Sequence, residues 1–128
     1  MDQIVDMLNR IRNAQVVSHQ AVEVPYSNIK YAILEVFKKY GYVDKIEKVG
    51  RKNRKYIKID LKYDAGAGVI ADMRRISKQG QKTYSGYKEL KPVKGGGGIA
   101  VMSTPKGIMS NIEAKKQKVG GEVLVQIW

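Results

Sequence analysis

A short polar segment near the carboxyl end offers the clearest chemistry in the sequence. Ser103, Thr104 and Lys106 bring two hydroxyls and one cation together, beside Pro105 and Gly107. Hydroxyls, a cation and free loop amides suit phosphate oxygens, sugar hydroxyls and base edges. The alternative interpretation is structural, because serine, threonine, proline and glycine are ordinary loop residues. The segment becomes a candidate binding site only together with other features of the chain.

The sequence predicts a polar loop over residues 103–109 and a helix directly after it. Residues 110–113 form a capping box, in which the hydroxyl of Ser110 accepts a hydrogen bond from the amide of Glu113. The helix is predicted to continue through the basic residues 115–118 and to stop before two glycines at 120–121. Its dipole would add partial positive charge beside the loop, which would favour an anion there.

A second candidate group alternates cations with aromatic rings. Lys82, Tyr84, Tyr87 and Lys88 lie close together in the sequence, and such a mixture suits base or ribose stacking beside phosphate contacts. Taken singly, the two tyrosines are equally consistent with half-buried positions in a core or at a sheet edge. The basic residues 51–55 could contact phosphates, and a solvated hairpin end explains them as well.

No pattern in the sequence specifies catalysis. Residues 66–71 fit a loose dinucleotide-binding pattern, but the following helix and parallel βαβ unit are not indicated. Residues 80–83 resemble the end of a phosphate-binding loop, but an extra residue separates the glycine from the lysine. Asp60 and Asp64 flank Lys62, which favours a charge-balanced strand face over a metal site. We therefore predict no catalytic residue, no metal, no cofactor and no small-molecule substrate.

The composition excludes several classes of protein. The chain has no cysteine, which excludes zinc ribbons, thiol catalysis and disulfide scaffolds. Its one histidine, His19, leaves little scope for imidazole chemistry and is most simply a loop residue. The amino-terminal residues do not form a secretory signal, and no run approaches the ~18 apolar residues of a membrane span. The sequence therefore predicts a soluble, cytosolic protein.

The strongest compositional signal is positive charge. The 128 residues carry 24 basic and 12 acidic groups, a net charge of +12. Residues 1–64 hold 13 basic and 8 acidic groups and residues 65–128 hold 11 and 4, so the excess is not confined to a tail. This distribution indicates a polyanionic partner, most simply nucleic acid, although a soluble basic protein is the alternative. Charge alone gives only non-specific binding, with Kd of about 10⁻⁴ to 10⁻⁶ M.

The first half of the chain is predicted to form two helices and three strands. They are predicted, in chain order, at residues 2–14, 22–24, 27–40, 42–49 and 57–63. Both helices show apolar residues at helical spacing, and the last strand alternates strictly between apolar and polar residues. Ser27 is the predicted N-cap of the second helix, and Gly41 is predicted to terminate it.

The second half is predicted to be mostly β-structure with one late helix. Glycines at 66 and 68 break the chain, so the predicted lobes are residues 1–65 and 66–128. Residues 69–77 are predicted as a strand, with a helix as the alternative, and residues 122–128 as the final strand. The fold class is α+β, with a helix-strand-helix-strand-strand lobe followed by the mostly β lobe.

These motifs together resemble one known family. Residues 103–107 (STPKG), followed by the capped helix and residues 120–123 (GGEV), closely resemble the carboxyl-terminal hallmark of small-subunit ribosomal protein eight of the bacterial type. Residues 10–14 (RIRNA) are similar to the amino-terminal motif of that family. Residues 25–30 (PYSNIK) resemble its strand-to-helix junction, and residues 88–90 (KEL) its mid-chain segment. The resemblance covers essentially the whole chain.

The resemblance implies a two-lobe α+β fold and direct binding to a helical junction in the central domain of small-subunit ribosomal RNA. Matching positions imply contacts from residues 103–107, with Tyr84 and Glu122 beside them and with Lys30 and Arg12 as secondary contacts to the RNA backbone. The predicted RNA-binding residues are Ser103, Thr104, Lys106, Gly107, Tyr84, Glu122, Lys82, Lys88, Lys30 and Arg12. One departure is Pro105, where the family commonly has a serine; proline lacks the hydroxyl and the amide donor but stiffens the segment.

The resemblance also implies the partners and the location of the protein. It implies a place in the cytoplasmic small ribosomal subunit, a role in subunit assembly, and neighbours among other small-subunit proteins, notably protein five. Some bacterial members of the family repress their own operon by binding a messenger RNA that imitates the ribosomal site. A translational repressor is therefore the alternative function.

Overall fold

Three helices and ten short strands make up the described part of the chain, residues 2–128 of the computed structural model. The chain divides into two units, Gln3–Val69 and Ile70–Trp128, with Asp2 grouped with the second. Helices and antiparallel strands occur in both units, which confirms the predicted α+β class.

The first unit packs two helices and a three-stranded antiparallel sheet. Its elements are α1 (Gln3–Val16), β1 (Ala21–Pro25), α2 (Asn28–Lys39), β2 (Val43–Arg51), β3 (Arg54–Leu61), β4 (Tyr63–Asp64) and β5 (Ala67–Gly68). The sheet order is β1-β3-β2, and β4 and β5 form a separate small hairpin. The predicted start of α2 is confirmed, because the hydroxyl of Ser27 accepts a hydrogen bond from the amide of Lys30 at 3.2 Å.

The core of the first unit follows from the alternating pattern of β3. Ile57, Ile59 and Leu61 are buried, whereas the residues between them are only half-buried. Side chains two residues apart in a strand share a face. Phe37 of α2 and Ile11 of α1 are also fully buried. Burial of such apolar side chains contributes roughly 1.5–3 kcal/mol each.

The second unit is a five-stranded sheet with one helix. Its elements are β6 (Met73–Arg75), β7 (Tyr84–Ser85), β8 (Ile99–Thr104), β9 (Gly107–Ser110), α3 (Asn111–Gln117) and β10 (Gly121–Ile127), with 3-10 turns at Tyr87–Glu89 and Lys94–Gly96. The order is β6-β10-β8-β9, and β7 also pairs with β10. The last strand in the sequence is therefore the central strand of the sheet.

Two sequence expectations about the second unit are wrong in extent. The strand predicted over residues 69–77 is limited to β6. The amides of Ala71 and Asp72 both donate to the carbonyl of Trp128, so these residues do not continue the regular pairing of β6 with β10. The alternative helix there does not form either. The polar loop predicted over residues 103–109 is a tight hairpin of β8 and β9, with Thr104 paired with Gly107 across a two-residue turn.

Helix α3 begins as predicted and also ends before the two glycines as predicted, but a lysine provides its C-cap. The hydroxyl of Ser110 accepts from the amide of Glu113 at 3.1 Å, which confirms the N-cap. Lys118 ends the helix in the left-handed conformation, with φ of +56°, and donates its amide to the carbonyls of Ala114 and Lys115. The glycines at 120–121 are therefore not needed to end the helix, and they have another role in the sheet.

Candidate nucleic-acid interface

Four residues lie side by side across the sheet of the second unit. Tyr84 of β7 pairs with Glu122 of β10. Glu122 pairs in turn with Ser103 of β8, and Ser103 pairs with Ile108 of β9. Directly opposed residues of antiparallel strands project from the same face of a sheet. We call these four residues the surface row.

The surface row faces away from α3. The next row along the sheet is Val123, Met102 and Met109. Met102 and Met109 are buried with Ala114 of α3, and Val123 packs against them. Because successive side chains alternate between the two faces of a strand, the surface row lies on the other face. The core thus fixes the orientation of the candidate binding residues.

Ser103 presents a hydroxyl without an intramolecular hydrogen bond to any residue in 2–128. Its side chain is half-buried in the sheet, so its position is set by the pairing of β8 with two neighbouring strands. A hydroxyl can donate one hydrogen bond and accept two. The structure therefore leaves Ser103 able to bind an external polar group.

Thr104 has a different role from the one that the sequence predicts. Its hydroxyl donates to the carbonyl of Gly107 at 2.8 Å and accepts from the amide of Lys106 at 3.1 Å. Strand alternation also directs it to the opposite face from Ser103. The two hydroxyls are not presented together, and Thr104 mainly stabilises the hairpin turn.

The hairpin turn, residues 104–107, exposes Pro105, Lys106 and Gly107. Gly107 has φ of +115°, which only glycine adopts without strain. Pro105 is at the second position of the turn, which favours the fixed φ of proline. The predicted contribution of the α3 dipole is wrong, because the four residues of β9 separate this turn from the helix and the dipole acts within about one turn.

Glu122, which lies between Tyr84 and Ser103 in the surface row, is held by two side chains. Its Oε2 accepts from the hydroxyl of Ser77 at 2.6 Å and lies 3.6 Å from the ammonium of Lys82. Ser77 in turn accepts from the amide of Thr83 at 3.0 Å. The exposed fraction of the Glu122 side chain is only 19%. Glu122 therefore orders the segment before β7, and part of the charge of Lys82 is neutralised within the protein.

Ser77 also helps to position Glu122, although the sequence gives no indication of this role. It is fully buried, and it connects Glu122 with the backbone at Thr83. No local pattern identifies it, because the contact spans 45 residues of the sequence.

Gly120 and Gly121 allow three strands to approach closely. A Cβ atom at Gly121 would lie 2.1 Å from the carbonyl oxygen of Ser103. A Cβ at Gly120 would lie 2.5 Å from the carbonyl oxygen of Ser85. Both distances are far below van der Waals contact, so the absence of side chains here lets β7 and β8 flank β10. This is the structural role of the glycine pair.

The remaining predicted contacts of the second unit are exposed. Tyr84 has an exposed fraction of 70%, which leaves its ring available for stacking. Lys88 is exposed in a 3-10 turn, with its ammonium 6.0 Å from the centre of the Tyr87 ring. Tyr87 is half-buried and packs against the core, so it is less accessible than Tyr84.

The two predicted contacts in the first unit differ in accessibility. Arg12 is half-exposed on α1 and donates from Nη1 to the side chain of Asn9 at 2.8 Å. Lys30 has an exposed fraction of only 2%, which argues against its predicted contact with an RNA backbone. Burial lowers the pKa of Lys30, while the nearby carboxylate of Asp6 acts in the opposite direction.

Other kinds of site are not found in residues 2–128. No three histidine, cysteine, aspartate or glutamate side chains in this range lie close enough together to hold a metal ion. None of the helices in the same range has the length and apolar character that a membrane crossing requires.

Comparison with known proteins gives matches over nearly the whole chain. Residues 2–128 match the family described as Ribosomal protein S8. "Small ribosomal subunit protein uS8" of Dictyoglomus thermophilum is 45% identical over 99% of this chain and 97% of its own length. The protein of the same name from Mycoplasmopsis pulmonis is 46% identical over 99% and 96%, respectively. "Small ribosomal subunit protein uS8c" of Gracilaria tenuistipitata is 45% identical over 99% and 98%.

Proposed function

Because the chain belongs to the ribosomal protein S8 family, we propose that it binds directly to a helical junction in the central domain of small-subunit ribosomal RNA and promotes assembly of the subunit. Membership makes the chain a structural protein of the small ribosomal subunit and not an enzyme. The net charge of +12 supports an RNA partner.

The surface row is the observation that carries this proposal. It combines the exposed ring of Tyr84 with the unpartnered hydroxyl of Ser103, and Lys106 lies at the adjoining hairpin turn. Aromatic stacking, a directional hydroxyl and a phosphate-binding cation are the contacts that folded RNA requires. Tyr84 and Ser103 are on paired strands and Lys106 is in the tight turn that joins two strands, so the backbone at all three groups is ordered before binding.

The shape of RNA explains why short side chains are useful here. An A-form helix has a deep, narrow major groove, and its wide, shallow minor groove displays 2′-hydroxyls. A hairpin that projects Ser103 and the backbone of Gly107 can approach such a groove or a distorted junction closely. The surrounding lysines neutralise phosphates, which sets the salt dependence but not the choice of RNA.

The same surface would serve a regulatory function in our proposal. A messenger RNA that imitates the ribosomal junction would offer the same shape to the surface row, so translational repression is the second function. We also propose contact with other small-subunit proteins, notably protein five. Sedimentation separates the two RNA functions, because a structural protein is found in stoichiometric amount in small subunits.

Chemical footprinting of small-subunit ribosomal RNA tests the main proposal. The wild-type protein should protect riboses and bases at one junction of the central domain at nanomolar concentration. The Ser103→Ala protein should need a higher concentration for the same protection. Protection outside the central domain, or protection that Ser103→Ala leaves unchanged, would contradict the proposed site.

A further inference from the structure

A cavity of about 540 Å³ opens on the second unit beside helix α3. Leu90 and Pro92 line it from the segment that precedes β8, and Ile112 lines it from α3. Gly96 and Gly98 contribute the rest of its apolar lining. Small-molecule sites are concave, mostly apolar and about 300–1,000 Å³ in volume. We call this feature the α3 cavity.

Three hydrogen bonds fix the segment that precedes β8 against helix α3. The side chain of Asn111, which is buried, accepts from the amide of Ala100 at 3.1 Å and donates to the carbonyl of Lys91 at 3.3 Å. The ammonium of Lys115 donates to the carbonyl of Leu90 at 3.1 Å. The cavity is therefore formed before any ligand arrives, which lowers the cost of binding.

The run of four glycines keeps one side of the cavity free of side chains. Gly96 has φ of +98°, at which any other residue is strained. A Cβ atom at Gly98 would lie 2.6 Å from the carbonyl oxygen of Ile127, far below van der Waals contact. The space thus depends on backbone that only glycine can provide.

The charges around the cavity are all positive. Lys91, Lys115 and Lys116 line it and are exposed, and none of its lining residues is acidic. Neither Lys91 nor Lys116 forms an ion pair with any residue in 2–128. Ile112 lies three and four residues before Lys115 and Lys116, so the three side chains share one face of α3. Apolar surface is thus combined with free cations at the rim.

We propose that the α3 cavity binds a small amphipathic anion. A compact apolar body packs against Leu90, Pro92 and Ile112, and a carboxylate or sulfonate lies near Lys91 and Lys116. This inference does not rest on the proposed function. The cavity borders α3 and the surface row faces away from α3, so the ligand and the RNA bind on different faces of the second unit.

The surroundings of the cavity favour a small molecule over a macromolecule. A stable protein interface buries about 800 Å² on each partner around clustered apolar anchors. Only one of the large exposed apolar side chains in residues 2–128 lines the cavity, namely Ile112. RNA presents mainly phosphates and sugars, which gain nothing from apolar walls.

An amide-resolved NMR titration of the full chain with naphthoate tests the inference. We expect saturable shifts confined to residues around the cavity, with a single Kd of about 1 mM or below, as the efficiency of small ligands implies. Naphthylmethanol, which has the same rings without the charge, should bind up to about fivefold more weakly. Shifts that are spread over the surface, or that do not saturate, would overturn the inference.

Replacement of the apolar wall has a matched control. Ile112→Gln should weaken both naphthoate and naphthylmethanol by at least about fivefold, because apolar contact area is lost. Val17→Gln makes the same change at another exposed apolar residue that does not line the cavity, and both affinities should stay at the wild-type value. A dispersed amide spectrum verifies that each variant is folded. Equal affinities of the two folded variants would overturn the site.

Replacement of the free cations tests the position of the anion. Lys91→Ala/Lys116→Ala should weaken naphthoate by up to about fivefold and leave naphthylmethanol unchanged. Lys78→Ala/Lys106→Ala removes the same charge from exposed positions of the same unit outside the cavity. It should leave both affinities unchanged. Equal effects of the two double variants on naphthoate would show that net charge alone matters and would overturn the inference.

A crosslinking experiment addresses a protein as the occupant. The chain has no cysteine, so Ile112→Cys introduces a unique thiol at the cavity, to which a benzophenone can be attached. In the assembled small subunit, a crosslink to another protein would show that a protein segment fills the cavity and would overturn the inference. Naphthoate binding to wild type without such a crosslink supports it.

The outcomes separate this inference from the proposed function. If the wild-type protein protects the central junction but does not bind naphthoate, the proposed function stands and the cavity ligand fails. If it binds naphthoate but protects no junction, the reverse holds. Saturating naphthoate should leave the RNA footprint unchanged. A footprint that naphthoate abolishes would place the cavity within the RNA site and would overturn the inference.

Discussion

Adjacent hydroxyl residues in the hairpin have different roles. Thr104 uses its hydroxyl within the turn, as donor to Gly107 and acceptor from Lys106. Ser103 has no such partner in residues 2–128 and projects from the opposite face of β8. Whether a hydroxyl is used within the turn or left accessible for binding therefore depends on strand alternation and not on residue type.

Replacement of Ser103 by alanine should weaken specific RNA binding by about 1–3 kcal/mol, because a directional contact is lost. Binding to an unrelated RNA duplex should hardly change. Filter binding with both RNAs measures the two effects. Thr104→Val is the comparison: it should instead lower the free energy of unfolding by about 0.5–1.5 kcal/mol, because two turn hydrogen bonds are lost. Equal loss for both RNAs with Ser103→Ala would contradict the role of Ser103.

Replacement of Glu122 by glutamine should increase non-specific RNA binding. The carboxylate now lies 3.6 Å from Lys82, and its loss would release that cation to bind phosphate. The salt slope should steepen by up to about 0.9. Glu113→Gln is the control, because it removes the same negative charge. The native Glu113 side chain accepts a hydrogen bond from Gln117 and pairs with no cation in the described residues. A similar steepening for both variants would show that only net charge matters.

Strand β10 organises the candidate interface at the level of elements. It pairs with β6, β7 and β8, and it brings Tyr84 and Ser103 to either side of Glu122. This arrangement requires that the first residue of β10 has no side chain, because the carbonyl of Ser103 occupies that space. The interface thus depends on the close approach of backbones at Gly121.

Replacement of Gly121 by alanine should separate β8 from β10. The added Cβ would lie 2.1 Å from the carbonyl oxygen of Ser103, so the strands must move. We expect the free energy of unfolding to fall by about 1–3 kcal/mol, measured by urea denaturation. Specific RNA binding should fall as well, because Ser103 is displaced. Gly80→Ala is the control, since no atom lies within 4 Å of its added Cβ, and it should change stability by less than about 0.5 kcal/mol.

The sequence predicts elements with local signals better than contacts between distant residues. The Ser27 and Ser110 caps and the alternation of Ile57 and Ile59 each follow from residues within one turn or strand, and they are confirmed. The sequence predicts a loop where β8 and β9 form a hairpin, because the polar residues there carry no strand pattern and the pairing of β8 with β9 is not visible in the sequence. The buried state of Lys30 depends on packing that no local pattern records.

Positive charge is distributed over both units and acts on the molecule as a whole. Arg74 and Arg75 in the second unit, like Lys48 and Lys55 in the first, belong to an excess that gives a net charge of +12. Distributed charge of one sign attracts a polyanion from a distance and raises the rate of encounter. In the proposed function, the short-range contacts of the surface row would act only after that encounter.

Association and dissociation rates should therefore respond differently to salt. Between 50 and 200 mM salt, the association rate with ribosomal RNA should fall by about tenfold or more, whereas the dissociation rate should change less. Ser103→Ala should show the reverse pattern, with faster dissociation and a nearly unchanged association rate. Stopped-flow fluorescence of labelled RNA measures both rates. A dissociation rate that responds to salt more strongly than the association rate would contradict this division.

The position of β10 also has a consequence for synthesis of the protein. Residues 73–110 leave the ribosome before residues 121–127, yet three of their strands need β10 as partner. Until that strand emerges, the nascent second unit has unpaired edges and cannot form the surface row. A chain terminated before β10 would lack this surface altogether, so in the proposed function the order of strands alone would keep incomplete polypeptides from competing for the RNA.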